Sequence, residues 1–136
     1  MTITIQTTIK SPIEKVWESW VNPESVKQWN HATDDWYCPK AVNDLTIGGK
    51  FSYTMAARDG SMSFDFWGNY EEIEEFKLIK STLGDGRKIL VEFIKLDDET
   101  TEVIESFETE DVNSSEKQRQ GWQQILDNFK KYCENK

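Results

Sequence analysis

GWQQILDNFKKYC, residues 121–133, places Trp122, Ile125, Leu126, Phe129 and Cys133 at i, i+3, i+4, i+7 and i+11. That spacing puts all five on one face of an α-helix. Upstream, Glu116 and Lys117 suit a first turn and Asn113 or Ser114 offers a cap, so a helix is expected over about 113–134. At about 1.5 Å per residue it runs roughly 30 Å. It is the one long amphipathic element in the chain. Such a helix has to bury its stripe against another layer, and the segments before it supply a sheet.

Moving outward from that helix, the preceding segments read as strands separated by turns. Thr100–Thr109 carries Val103, Glu105 and Phe107 on one face by period two. Asp97-Asp98-Glu99 is a tight turn, and Lys88–Leu96 with Val91 and Phe93 is the strand before it. Gly84-Asp85-Gly86 closes Lys77–Leu83. Ser63–Ile73 has Phe64, Phe66 and Tyr70 on one side, with Gly68 as a bulge or bend. Arg58-Asp59-Gly60 is a hairpin turn after Phe51, Tyr53 and Met55, which alternate with polar residues behind Gly48-Gly49. The regular turns predict an antiparallel meander.

The front of the chain opens with TITIQTTI, residues 2–9, a half-buried strand. Ser11 and Pro12 then look like the cap and first residue of a short helix over about 12–21, with Glu14 completing a capping box. Asn22-Pro23 repeats the device for a second helix over about 23–29. Residues 30–46 read as an irregular loop: turn formers dominate, interrupted by Trp36, Tyr37 and Val42. The expected fold is α+β, a curved antiparallel sheet of about six or seven strands wrapped around the C-terminal helix, with two short helices after the first strand. A length of 136 residues suits one domain, 1–136, and shows no boundary or repeat.

Composition narrows the function classes. A net charge of −9 disfavours nucleic acid and anionic membranes, which need a positive footprint. Two cysteines, Cys38 and Cys133, are too few for a disulfide framework. The chain does not open on a secretory signal, and no run reaches the roughly 20 apolar residues of a membrane helix, so a cytoplasmic location is expected. There is no phosphate loop or dinucleotide motif and no Ser-His-Asp arrangement, since His31 is the single histidine. No cofactor is expected. His31, Asp34, Asp35 and Cys38 match no zinc spacing, so no metal is expected either.

Taken in order, SPIEKVWESW (11–20), NPESVKQW (22–29), GGKFSY (48–53), FWGNYEEIEEFKLIKSTL (66–83) and GWQQILDNFKKY (121–132) resemble the START-like, birch-pollen-allergen-like helix-grip superfamily (SRPBCC). Within it the chain is similar to stand-alone domains like the activator of the heat-shock chaperone ATPase. The resemblance covers nearly the whole chain. It implies a pocket for lipids, sterols, polyketides or other apolar molecules, and it raises a chaperone or other protein as a partner. The N-terminal chaperone-docking domain of the eukaryotic activators is not expected here.

The residues expected at a ligand site between sheet and helix are Trp36, Phe51, Tyr53, Met55, Phe64, Phe66, Tyr70, Phe93, Glu105, Phe107, Trp122, Leu126 and Phe129. These rings either fill an ordinary core or partly line a pocket, which stiff aromatics can hold open. Trp29, Trp36 and Tyr37 either form a pocket mouth or seal the core under the loop. Glu105 shares an inward face, yet a partly covered sheet would leave it wet, and that is the plainer reading. An inward carboxylate would meet a ligand's polar group, with Tyr53 and His31 as further polar contacts. Paired with His31, it would also suit a cyclase or hydrolase; no catalytic residue is assigned. Arg58 and Arg87 sit beside turns and are expected to be exposed. The 71–75 acidic run reads as a solvated strand end, and a homodimer through the 29–37 tryptophans stays open. The function expected is binding of a small hydrophobic ligand.

Overall fold

Alternation in Thr2–Ile9 gives β1: Ile3, Ile5 and Ile9 are buried while Thr2, Thr4 and Thr8 face solvent. In this computed structural model residues 1–135 are described; Lys136, the last residue of the expected domain, lies outside them. Two short helices follow, α1 (Ile13–Val21) and α2 (Pro23–Trp29). At α2 the expected cap forms, with the Asn22 side chain accepting from the Glu24 N–H at 2.9 Å. At α1 it does not. Pro12 is the N-cap, and no side chain caps the helix. Ser11 is buried at the turn out of β1, where its N–H donates to the Ile9 carbonyl and its own carbonyl accepts from Thr101 Oγ1 at 2.9 Å. Holding β1 to the far strand of the meander takes Ser11 out of reach of the helix, which starts one residue later.

The 30–46 stretch is the second departure. Trp36–Asn43 is a strand, β2, not a loop. Pro39 and its turn-forming neighbours mask it in the sequence. The register shifts between Tyr37 and Lys40, and the strand lies at the sheet edge, so Pro39's missing N–H breaks no ladder. β3 (Lys50–Ala57), β4 (Ser63–Glu74), β5 (Leu78–Leu83), β6 (Lys88–Asp97) and β7 (Thr100–Glu108) complete the meander. One antiparallel sheet results, ordered β1-β7-β6-β5-β4-β3-β2 and curled into a half-barrel. β1 closes against β7, with Ile5 opposite Glu105 and Ile3 opposite Phe107.

The concave face holds α3 (Ser115–Glu134), capped by Ser114, whose side chain accepts from the Lys117 N–H at 3.1 Å. Leu126, Phe129 and Cys133 are buried beneath it, as their spacing requires. Trp122 stacks flat on Phe107 of β7, centroids 4.0 Å apart, and meets Phe66 of β4 edge to face at 5.8 Å. The helix therefore touches strands from both halves of the curl.

Of the bulge or bend expected at Gly68, the bulge does not form there. The register of β4 slips two residues later, between Tyr70 and Glu72. Gly68 is needed for close approach: a Cβ there would lie 2.7 Å from the Thr82 carbonyl oxygen and 2.9 Å from the Phe51 ring. The carbonyl belongs to the neighbouring strand and cannot swing aside. Gly68→Ala is therefore expected to cost about 1–3 kcal/mol through overpacking, measured by urea or thermal melting. An unchanged melting temperature would show that the sheet gives way freely.

Candidate ligand-binding site

Between the curl and α3 lies a cavity of about 230 Å³. Its wall is built by period two. Phe51, Tyr53 and Met55 face in from β3, and directly across the ladder lie Gly68, Phe66 and Phe64 of β4. Tyr70 extends that face, Ile89 and Val91 come from β6, and Glu105 from β7. Trp20 of α1, Trp29 of α2 and Asn30 close one end; Trp122, Ile125 and Leu126 of α3 form the roof. Phe64 is 50% exposed and marks the opening.

Fixed polar partners hold several wall residues from behind. The Trp29 indole N–H donates to the Ser19 carbonyl at 3.0 Å, which fixes the ring where it stacks on Trp20 at the end of the cavity. The Tyr70 hydroxyl donates to Asn43 Oδ1 at 2.6 Å, and Asn43 Nδ2 donates on to the Val21 carbonyl at 2.7 Å. Burial pushes the Tyr70 phenol up to about 12. Burial first, and then Tyr70 beside it, holds the Tyr53 phenol well above its ordinary range.

Glu105 is the carboxyl on a wall whose other polar side chains are Asn30, Tyr53 and Tyr70. It is 7% exposed, so the wet reading fails. Its cross-strand neighbours are Ile5 and Val91. Val103 and Phe107 flank it on the same face of β7, both buried. Among the described residues no hydrogen bond or ion pair reaches its carboxyl, and burial raises its pKa to about 8. The carboxyl is thus protonated at neutral pH. It presents one donor and one acceptor to the cavity.

Four residues expected at the site stand off the wall. Phe93 meets Trp17 at 5.0 Å and Trp20 at 6.0 Å, both edge to face. Phe129 lies behind Trp20 and Trp29, at 5.0 and 4.8 Å. Phe107 is covered by Trp122, and Trp36 rests against Phe64 outside the opening. His31 is also absent from the wall. It lines a separate open depression with Gln28, Asn128, Lys131, Tyr132 and Asn135, and burial lowers its pKa. The Glu105–His31 pair that a cyclase or hydrolase needs does not form. Tyr37 is not a mouth residue either; it is exposed and stacks under the Arg58 guanidinium. Trp20, Asn30, Ile89, Val91 and Ile125 were not read from the sequence as wall residues. Ile89 and Val91 had a signal, since they alternate with Phe93 on β6. Among the described residues no group of three or more His, Cys, Asp or Glu is placed to hold a metal.

The family described as Activator of Hsp90 ATPase homolog 1-like protein matches residues 10–134. The chain belongs to that family. Among solved structures, an AHSA1-like protein from Aeromonas hydrophila is 39% identical, covering 97% of this chain and 91% of its own, with a TM-score of 0.90. A protein from Cytophaga hutchinsonii is 48% identical over 98% of this chain and 92% of its own, TM-score 0.85. A Chromobacterium violaceum protein at 21% identity shares the fold, TM-score 0.87, over 98% of each chain. No curated protein matches. Family membership accords with the helix-grip resemblance carried by the quoted motifs. Among the described residues no helix is long and apolar enough to cross a membrane.

Proposed function

We propose that this chain binds one small, largely apolar molecule between the curled sheet and α3. The observation that carries the reading is the cavity itself: about 230 Å³, walled by rings, with a lone carboxyl aimed into it. The strands do not collapse into it because Phe51, Phe66 and Tyr70 brace one another, with Phe51 5.9 Å from Phe66 and 5.4 Å from Tyr70. A cavity of about 150 Å³ already seats a benzene molecule, so the space suits a ligand of one or two rings.

A ligand that binds only the folded state stabilises it by about 2.7 kcal/mol at a hundred-fold excess over Kd. In a thermal-shift screen of ring-bearing compounds, the melting temperature is therefore expected to climb with concentration. Leu126→Trp, which fills the roof, is expected to abolish the response while the variant still melts cooperatively. A broad panel that leaves the wild-type melt unmoved would remove this reading.

A further inference from the structure

We infer that the occupant is a protonated amine on an apolar, ring-bearing body, its nitrogen paired with the Glu105 carboxylate and its body held among Phe51, Tyr53, Phe66 and Trp122. The inference rests on the cavity reading above and names the chemistry it takes. Three observations on the wall select it. Among the described residues Glu105 is the one carboxyl there, and no Lys, Arg or His accompanies it. An anionic ligand would find no cation, only a group that becomes negative. Its strand neighbours Ile5, Val91, Val103 and Phe107 offer no donor, and among the described residues none is bonded to the carboxyl, so a cationic ligand would bring the charged form its partner. The same cavity is lined by the rings of Phe51, Tyr53, Phe66 and Trp122; aromatic π-clouds attract a cation and repel an anion. The chain's net charge of −9 draws cations toward the mouth.

The ionisable groups facing the cavity are few. β3 contributes the Tyr53 phenol, β4 the Tyr70 phenol and β7 Glu105; β6, α1, α2 and α3 contribute none to the wall. Both phenols are held above their ordinary range, so neither titrates near neutrality. The pH response of binding therefore belongs to Glu105. Before binding, its carboxyl keeps its proton up to about pH 8. An incoming ammonium requires the carboxylate, so that proton leaves to the buffer as the ion pair forms. Below pH 8 the amine's affinity rises about tenfold per pH unit, and above it levels off. A neutral hydroxyl ligand behaves oppositely: it uses the protonated carboxyl, binds evenly below pH 8 and weakens above.

The test is isothermal titration of wild type and Glu105→Gln with 4-phenylbutylamine, 4-phenylbutan-1-ol and 4-phenylbutyrate at about pH 6, 7 and 9. The amine is expected to bind at least about tenfold tighter than the alcohol at pH 9, and to gain about tenfold between pH 6 and 7. The acid is expected to bind weakest. In Glu105→Gln the amine is expected to lose its advantage and its pH dependence, while the alcohol binds within a few-fold of wild type. Thermal melting checks that the variant is folded. An amine with flat affinity, or one matched by the alcohol at pH 9, overturns the inference and leaves the cavity reading standing. If none of the three binds at any pH, both fall.

Discussion

Glu105→Gln is expected to melt about 10 °C or more above the wild type near pH 8.5, and the two proteins are expected to melt together only near pH 4. The reason is the gap between the ordinary glutamate value of 4.5 and the value of about 8 that burial imposes in the fold. Below pH 4.5 the carboxyl is protonated in both folded and unfolded chains and contributes nothing to their difference. Between 4.5 and 8 the unfolded chain sheds the proton and the folded one keeps it, so stability falls as pH rises. Above 8 the folded protein must carry an unpaired buried charge, and the loss is complete. At about 1.4 kcal/mol per pH unit, the gap amounts to on the order of 4–5 kcal/mol. Glutamine has the same shape and cannot ionise, so it escapes the loss. A chain of this size gains about 3 °C or more per kcal/mol, which sets the expected rise in melting temperature. The comparison is made at each pH between variant and wild type, because the net charge of −9 destabilises both alike in alkaline solution. Equal melting at pH 8.5 would mean that Glu105 is already ionised and solvated in the fold. The same cost explains why such a residue marks a site: Ile5 and Val91 beside it show that an apolar side chain suits the position better for stability.

The fold was legible where period and burial agree. Trp122, Ile125, Leu126, Phe129 and Cys133 occur at helical spacing, and one long stripe needs one sheet to cover it, so the architecture followed. Legibility failed where a residue's local preference was overruled by a distant partner. Ser11 looks like a helix cap, yet Thr101, ninety residues away, binds its carbonyl. Pro39 looks like a loop residue, yet β3 supplies a ladder that needs nothing from it. The site was legible to the level of which faces point inward, and no further. Period two aims Phe93, Phe107 and Glu105 alike at the concave side; it cannot tell a ring that meets another ring from one that meets space. That distinction is made by α1 and α3, because Trp17 and Trp20 close on Phe93 and Trp122 covers Phe107. For Glu105 the sequence carried the position but not its wetness, which depends on how completely α3 covers β7.

Phe129→Ala is expected to cost about 3–5 kcal/mol, whereas Phe64→Ala, the same chemical change, costs about 1 kcal/mol or less. Both rings were sequence candidates for contact with a ligand, and the structure separates them. Phe129 is fully buried on α3 and meets the faces and edges of Trp20 and Trp29, which are themselves stacked 5.0 Å apart. Deleting it removes the apolar surface of a whole ring and leaves a hole that neither tryptophan can fill. Trp29 is tethered by its N–H to Ser19, and Trp20 is wedged against Phe93. Phe64 is half in water already and its loss only widens an opening. Urea melts of the two variants give the stability difference directly. Titration with a ligand found in the screen gives the other half of the contrast. Phe64→Ala should weaken binding with little change in stability, and Phe129→Ala should do the reverse once allowance is made for its unfolded fraction. If Phe129→Ala were as stable as the wild type, α3 would not be anchored through this ring, and the roof over the cavity would have to be held by Trp122 and Leu126 alone.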